Sequence, residues 1–220
     1  IEVVQGTDFA DVMSGDSAGS TSDTFKGGKG NDQLSGGAGA DTLYGENGDD
    51  TLKGGTGDDY LDGGNTDELN GDTVSYEDVT ANKLVVTISS NATATATIGS
   101  EKDTLVEIEN IKGSNYGSGS STAGDGDIIT GDSLKNTIFG LAGNDTLDGA
   151  GGADSIDGGA DNDTITGGAG ADTLYGGTGN DIFIQTVGDT TGDKINGESD
   201  SATNRGSDTV DYRAFASNSG

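Results

Sequence analysis

The chain has 220 residues, 42 of them glycine, and contains no proline, cysteine, histidine or tryptophan. Its formal charge is −29, from 39 acidic and 10 basic side chains, and apolar residues make up only 29%. Taken alone, that composition describes a disordered chain, because it buries too little apolar surface to offset chain entropy. The charge argues against nucleic acid and anionic membranes as partners and favours cations. No apolar run approaches the roughly 18 residues that span a bilayer. Without cysteine there is no disulfide or thiolate chemistry, which suits a secreted protein stabilised by metal as well as a cytosolic one. The chain opens at Ile1 without a signal-like segment and reads as a piece of a longer protein.

The placing of the glycines overturns the disordered reading. In chain order, GTDFADVMS at residues 6–14 is the first nine-residue unit, with Asp11 at its sixth place and Met13 at its eighth. Asp23 and Phe25 keep that spacing after a short insertion. From Gly27 four units run without a break: GGKGNDQLS, GGAGADTLY, GENGDDTLK and GGTGDDYLD. Their sixth places are Asp32, Asp41, Asp50 and Asp59, and their eighth places Leu34, Leu43, Leu52 and Leu61. Glycine at places one, two and four permits the positive φ of a tight turn. In the three residues that follow place six, side chains alternate, so place eight faces in while places seven and nine face out. Two units then make one coil with a strand on each of two facing sheets, successive coils stacking about 4.8 Å apart.

Past residue 64 the composition changes. DTVSY at 72–76, KLVVTIS at 83–89, TATATI at 93–98 and TLVEIENI at 104–111 read as strands longer than those of the nines. They predict a small sheet or an enlarged coil that interrupts the roll. Val74 follows Asp72 as place eight follows place six, so the roll should pass into this segment continuously.

The nines resume loosely with Asp127 and Ile129, then with GDSLKNTIF at 131–139, which has Asn136 at place six and Leu134 at place four. From Gly140 five units follow: GLAGNDTLD, GAGGADSID, GGADNDTIT, GGAGADTLY and GGTGNDIFI. These bring Asp145, Asp154, Asp163, Asp172 and Asp181 to place six, with Leu147, Ile156, Ile165, Leu174 and Phe183 at place eight. A larger repeat overlies the small one. IEVVQG at 1–6 matches IENIKG at 108–113, and GDTVSY at 71–76 matches SDTVDY at 207–212. The chain therefore divides into a first roll block at 1–64 (strict repeats 27–64), an inter-roll segment at 65–112, a second roll block at 113–196 (strict repeats 140–184), and the start of a second inter-roll segment at 197–220. It reads as about two copies of one module cut from a tandem array.

The register G-G-x-G-x-D-x-U-x resembles the RTX, or haemolysin-type calcium-binding, repeat family. One such unit is a weak signal, and nine in register are a strong one. The resemblance implies an all-β fold, a right-handed parallel β-roll of 18-residue coils in two blocks, holding several Ca2+ ions. In that family each ion sits between turns one coil apart, held by carbonyls of both turns and by two place-six carboxylates. Carried over by position, Asp32 pairs with Asp50, Asp41 with Asp59, Asp145 with Asp163, Asp154 with Asp172, and Asp163 with Asp181, with Asp11, Asp23, Asp72 and Asp127 as weaker ligands. The carbonyl donors implied are Gly27, Lys29, Gly36, Ala38, Gly45, Asn47, Gly55 and Gly57 in the first block. In the second they are Gly140, Ala142, Gly149, Gly151, Gly158, Ala160, Gly167, Ala169, Gly177 and Gly179. Calcium suits such a set because it accepts six to eight oxygens in flexible geometry, whereas magnesium demands a tight octahedron and zinc prefers nitrogen and sulfur. Glu46 and Ala150 replace the second glycine and Asp161 the fourth. Asn136 lacks the charge and Leu134 fits place four poorly, so ions should be weak or missing around residues 114–136.

By the same resemblance, the chain is a bacterial, extracellular or cell-surface segment that leaves through type I secretion machinery via its parent protein and folds on meeting calcium. It should span no membrane and be monomeric in isolation. The parent reads as a large adhesin or haemolysin-like protein in which this segment is an extender. The alternative is a non-catalytic accessory module of a secreted hydrolase or polysaccharide-modifying enzyme, with Tyr44 and Tyr175, facing out at place nine, as possible glycan contacts. Threonines at place seven (Thr42, Thr51, Thr146, Thr164, Thr173) resemble a flat ice-binding face. Gln33, Tyr60, Ser155 and Ile182 break that series, and ordinary strand propensity accounts for it. No enzyme is expected: histidine and cysteine are absent, and no carboxylate pair stands apart from the repeat. Self-cleaving RTX modules depend on an Asp-Pro bond, and the chain has no proline.

Overall fold

The computed structural model describes residues 3–19, 21–64, 68–89, 93–119, 124–186, 189, 192–197 and 206–211. Ile1 and Glu2 of the first matched hexapeptide, Tyr212 of the last, and most of the expected segment 197–220 lie outside the described residues. The described chain is all β, a parallel solenoid of about ten coils.

Two sheets face each other. One holds nine strands in the spatial order Val12–Ser14, Gln33–Ala38, Thr51–Thr56, Thr73–Ser75, Asn110–Lys112, Thr137–Ala142, Ser155–Ala160, Thr173–Thr178 and Lys194–Asn196, every adjacent pair parallel. The other holds twelve. Its parallel runs, Val3–Gln5 to Tyr60–Asp62 and Ile128–Thr130 to Thr209–Asp211, flank the strands Glu101–Val106, Ala94–Ile98 and Leu84–Thr87. In the roll, strands alternate between sheets because each six-residue turn carries the chain across.

Place eight faces inward as the alternation requires. Leu34, Leu52, Val74, Ile111, Ile138, Ile156 and Leu174 stack in register along one sheet, none more than 1% exposed. Leu43 and Leu61 do the same along one stretch of the other sheet, and Ile129, Leu147, Ile165 and Phe183 along a second. Each such side chain contributes about 1.5–3 kcal/mol by leaving water. Six-residue strands such as Thr24–Lys29 are longer than the three residues the pattern predicts, because the ladder runs on through the glycines: Gly28 pairs with Glu46 and Lys29 with Asn47. Turns repeating in one conformation continue the parallel pairing beyond the strand proper.

The second-place substitutions keep the glycine backbone. Glu46 has φ 76°, Leu141 79° and Ala150 67°, and Asp161 at place four has φ 80°. The turn geometry is imposed by its neighbours above and below, and these residues bear the strain.

Of the small sheet and the enlarged coil expected for 65–112, the enlarged coil is what forms. From Thr73–Ser75 the chain crosses to the twelve-stranded sheet at Leu84–Thr87, two strands ahead of its place. It returns antiparallel through Ala94–Ile98 to Glu101–Val106, which lies parallel beside Tyr60–Asp62. Two reversals restore the original direction, so Leu84–Thr87 pairs parallel with Ile128–Thr130 and the roll resumes. TLVEIENI is not one strand. Glu107, at φ 50°, turns a corner between Glu101–Val106 in one sheet and Asn110–Lys112 in the other.

Candidate metal centres

The place-six carboxylates form two rows, one along each edge of the roll. In each row the backbone N–H of one residue donates to a carboxylate oxygen of its neighbour one coil on. Asp32 N–H donates to Asp50 Oδ1 at 2.7 Å, Asp41 to Asp59 at 2.8 Å, and Asp145 to Asp163, Asp154 to Asp172 and Asp163 to Asp181 at 2.9 Å each. All five expected pairs are therefore neighbours. Asp11 joins the first row through Asp32, and Asp23 the second through Asp41. Asp127 leads into Asp145, and Asp50 into Asp72.

The rows also hold residues that the nine-residue register missed. Asp59 N–H donates to Asp103 Oδ1 at 3.0 Å, Asp72 N–H to Glu109 Oε2 at 2.8 Å, Asp172 N–H to Asp193 Oδ1 and Asp181 N–H to Asp208 Oδ1, both at 3.1 Å. The signal was present in Asp103-Thr-Leu105, Glu109-Asn-Ile111, Asp193-Lys-Ile195 and Asp208-Thr-Val210, which keep the acid two residues before an inward apolar residue. None of them keeps glycine at places one, two and four together, so the nine-residue register passes over them.

The second carboxylate oxygen separates these residues into classes. Oδ2 of Asp32, Asp41, Asp50, Asp59, Asp72, Asp145, Asp154, Asp163, Asp172 and Asp181 is buried and accepts no hydrogen bond. A buried acceptor left in that state is costly, more so when charged. At four other positions the oxygen has a protein donor. Asp11 Oδ2 accepts from Thr7 N–H at 2.6 Å, Asp103 Oδ2 from the Tyr76 hydroxyl at 3.0 Å, Asp127 Oδ2 from Ser114 N–H at 2.6 Å and Asp193 Oδ2 from Gln185 at 2.9 Å. Asn136 is engaged on both sides, accepting from Asp132 N–H and donating to the Glu109 carbonyl. The region 114–136 thus offers no buried, orphaned carboxylate oxygen among its described residues.

Place one explains what the open oxygens face. A methyl group added to Gly27 would lie 2.6 Å from the carbonyl oxygen of Gly45 and closer still to Asp32 Oδ2. Gly36 meets Asp41 Oδ2 and the Gly54 carbonyl, Gly45 meets Asp50 Oδ2 and the Gly63 carbonyl, and Gly140, Gly149, Gly158 and Gly176 repeat the arrangement. Carboxylate and carbonyl from adjacent coils converge on a space that any side chain would fill. The carbonyls turned there at the ends of the blocks include those of Gly54 and Gly176, one residue before Gly55 and Gly177. At place three the carbonyls of Asn47, Ala160 and Ala169 accept the N–H groups of Gly30, Gly143 and Gly152. An all-oxygen set of carboxylates and carbonyls suits a hard cation with many ligands, which is calcium's chemistry. The residues fit the ion.

The electrostatics agree. Burial pushes the carboxyls of Asp50, Asp59 and Asp181 up to about 6, and those of Asp145 and Asp154 to about 7, each against a lowering backbone hydrogen bond. Asp163 rises to about 9, burial first, with the charges of Asp145 and Asp181 adding to it. A divalent ion held there would supply the positive charge that these groups lack. Beside the second row, Asn144, Asn162 and Asn180 at place five form an amide ladder, Asn162 N–H donating to Asn144 Oδ1 at 2.9 Å and Asn180 N–H to Asn162 Oδ1 at 2.7 Å. It holds the turns in register without charge.

No curated protein shows a significant match to this chain. A family model for the RTX calcium-binding nonapeptide repeat, four copies long, matches residues 17–52, 44–72, 122–156, 130–165 and 148–183, together more than half of the chain. The repeated register, the paired carboxylate rows and this match agree, and the chain belongs to the RTX calcium-binding nonapeptide repeat family, whose repeats are structural calcium-binding modules.

Proposed function

We propose that the chain is a calcium-folded structural segment of a secreted bacterial protein, held unfolded at low calcium and folded after export. The observation that carries this reading is the set of buried Oδ2 atoms without a donor, each beside a place-one glycine. Asp32, Asp41, Asp50, Asp59, Asp145, Asp154, Asp163, Asp172 and Asp181 act as the carboxylate ligands, and place-one carbonyls supply further oxygens. Calcium, when bound, offsets the repulsion along each row and joins adjacent coils, so binding free energy becomes folding free energy. Asp11 and Asp127, already saturated by Thr7 and Ser114, serve as structural ends of the rows. On this reading the segment is an extender of a large adhesin or haemolysin-like protein that leaves by type I secretion. The segment performs no catalytic step.

A second reading, an accessory module of a secreted hydrolase, rests on the outer face. The rings of Tyr44 and Tyr60 lie 5.8 Å apart there, with Lys26 over Tyr44 at 5.4 Å. Such a pair can stack on a sugar ring. Glycan-array binding lost on Tyr44→Ala would favour it.

The test of the main reading is far-ultraviolet circular dichroism of the chain in chelator, then through a calcium titration with a magnesium control. A cooperative gain of β signal with calcium alone supports it. A chain equally β-rich in chelator refutes it.

A further inference from the structure

The enlarged coil begins where the repeat ends, and there two glutamates outside the nine-residue pattern meet Asp72 of the first row. Glu68, Asp72 and Glu109 each bring one carboxylate oxygen within 4.8 Å of the others. Asp72 is fully buried and its Oδ2 has no donor, and Glu68 Oε1 is likewise buried and unpartnered. Among the described residues none of the three enters an ion pair. Asp72 Oδ2 and the Glu107 carbonyl oxygen converge in front of Gly63, as carboxylate and carbonyl converge in front of Gly27.

The neighbouring chain holds this arrangement in place. Asp49 Oδ1 accepts the N–H groups of Leu69 and Asn70 at 2.8 and 3.0 Å, and the Asn110 amide donates to the carbonyls of Asn70 and Gly71 at 3.0 and 3.1 Å. Residues 69–71, which follow Glu68, are thus pinned from both sides. On the far side, the corner between Val106 and Asn110 is three residues long, where the roll uses six. That shortening removes the turn carbonyls of places two to four. Glutamate at 109 reaches back by one methylene more than aspartate to meet the Asp72 N–H.

We propose that Glu68, Asp72 and Glu109, with the Glu107 carbonyl, form a separate divalent-cation site for calcium that fastens the first roll to the enlarged coil. Glutamate carboxylates stand in for the missing turn carbonyls. With three carboxylates against two in the roll, the site fills at lower calcium than the roll does. The proposal rests on the calcium reading of the fold, but Glu68 and Glu109 lie outside the repeat, so the two can fail separately.

The experiment is isothermal titration of calcium into the full chain, stripped with chelator, for the wild type, Glu68→Gln, the double variant Glu68→Gln/Glu109→Gln, and Asp163→Asn. Circular dichroism in excess calcium checks that each is folded. Glu68 Oε1 makes no hydrogen bond, so Glu68→Gln removes charge without breaking a contact. The expected result is that Glu68→Gln weakens one equivalent about tenfold and the double variant loses it. Asp163→Asn should weaken a different equivalent and leave this one intact. If the double variant keeps the wild-type count and affinities while Asp163→Asn does not, the junction site is wrong and the roll reading stands. If the wild type takes up no calcium, both are overturned.

Discussion

The Tyr76 hydroxyl donates to Asp103 Oδ2 across 3.0 Å in the core, and this bond takes up the oxygen that other place-six carboxylates leave open. Burial raises the Asp103 carboxyl to about 7, and the phenol is also pushed well above its ordinary range, burial first. A neutral donor thus does at the meander what a cation is proposed to do in the roll. Tyr76→Phe leaves the carboxylate buried and half satisfied. It should cost about 1–3 kcal/mol in urea unfolding followed in calcium, and no change in stability would disprove the account.

The contrast between open and saturated carboxylates separates ligand from structural roles. Asp163→Asn removes charge from an orphaned Oδ2 and should raise the calcium midpoint of folding about tenfold. Asp127→Asn replaces a carboxylate held by Ser114 and by Leu84 N–H, so it should lower stability while leaving the calcium count unchanged. Calcium titrations of both variants, read by calorimetry, decide this.

In chelator the pH dependence follows from the raised carboxyls. The folded values, about 6 to 9 for Asp50, Asp145 and Asp163, stand above the unfolded value near 4. The folded state therefore holds more protons, and the stability these groups contribute is full below about pH 4 and lost as pH rises through about 6 to 9. The calcium-free chain should gain β signal on acidification. Calcium competes with those protons, so its midpoint should rise as pH falls from about 7.5 to 5.5. Circular dichroism across that range, with and without chelator, gives both slopes.

Gly45 has no positive φ, so alanine there meets no backbone strain, yet its methyl would collide with Asp50 Oδ2 and lie 2.5 Å from the Gly63 carbonyl. Gly45→Ala should therefore cost about one calcium equivalent in calorimetry, whereas a purely conformational role for this glycine predicts no such loss.

Ala150 presents the opposite case, a non-glycine residue at φ 67°. Ala150→Gly relieves left-handed strain and should stabilise the calcium-bound chain by about 0.5–1 kcal/mol in urea melts, net of the added chain entropy.

The sequence by itself determined the roll. Asp and an apolar residue two places apart, repeated every nine residues, specify which side chains point inward and which carboxylates become neighbours, because both follow from local alternation and a fixed coil length. Asp32 with Asp50 and Asp163 with Asp181 could be paired from spacing alone. The tertiary structure decided what spacing cannot carry. It shows that the strands Leu84–Thr87, Ala94–Ile98 and Glu101–Val106 lie within the sheet, and that Asp103 and Glu109 continue the rows across coils of irregular length. It also separates Asp127, saturated by Ser114, from Asp145, left open. Those outcomes depend on which strand a long loop lands beside and which donor it brings to a buried oxygen. Neither has a fixed distance along the chain, so no repeat in the sequence could encode them.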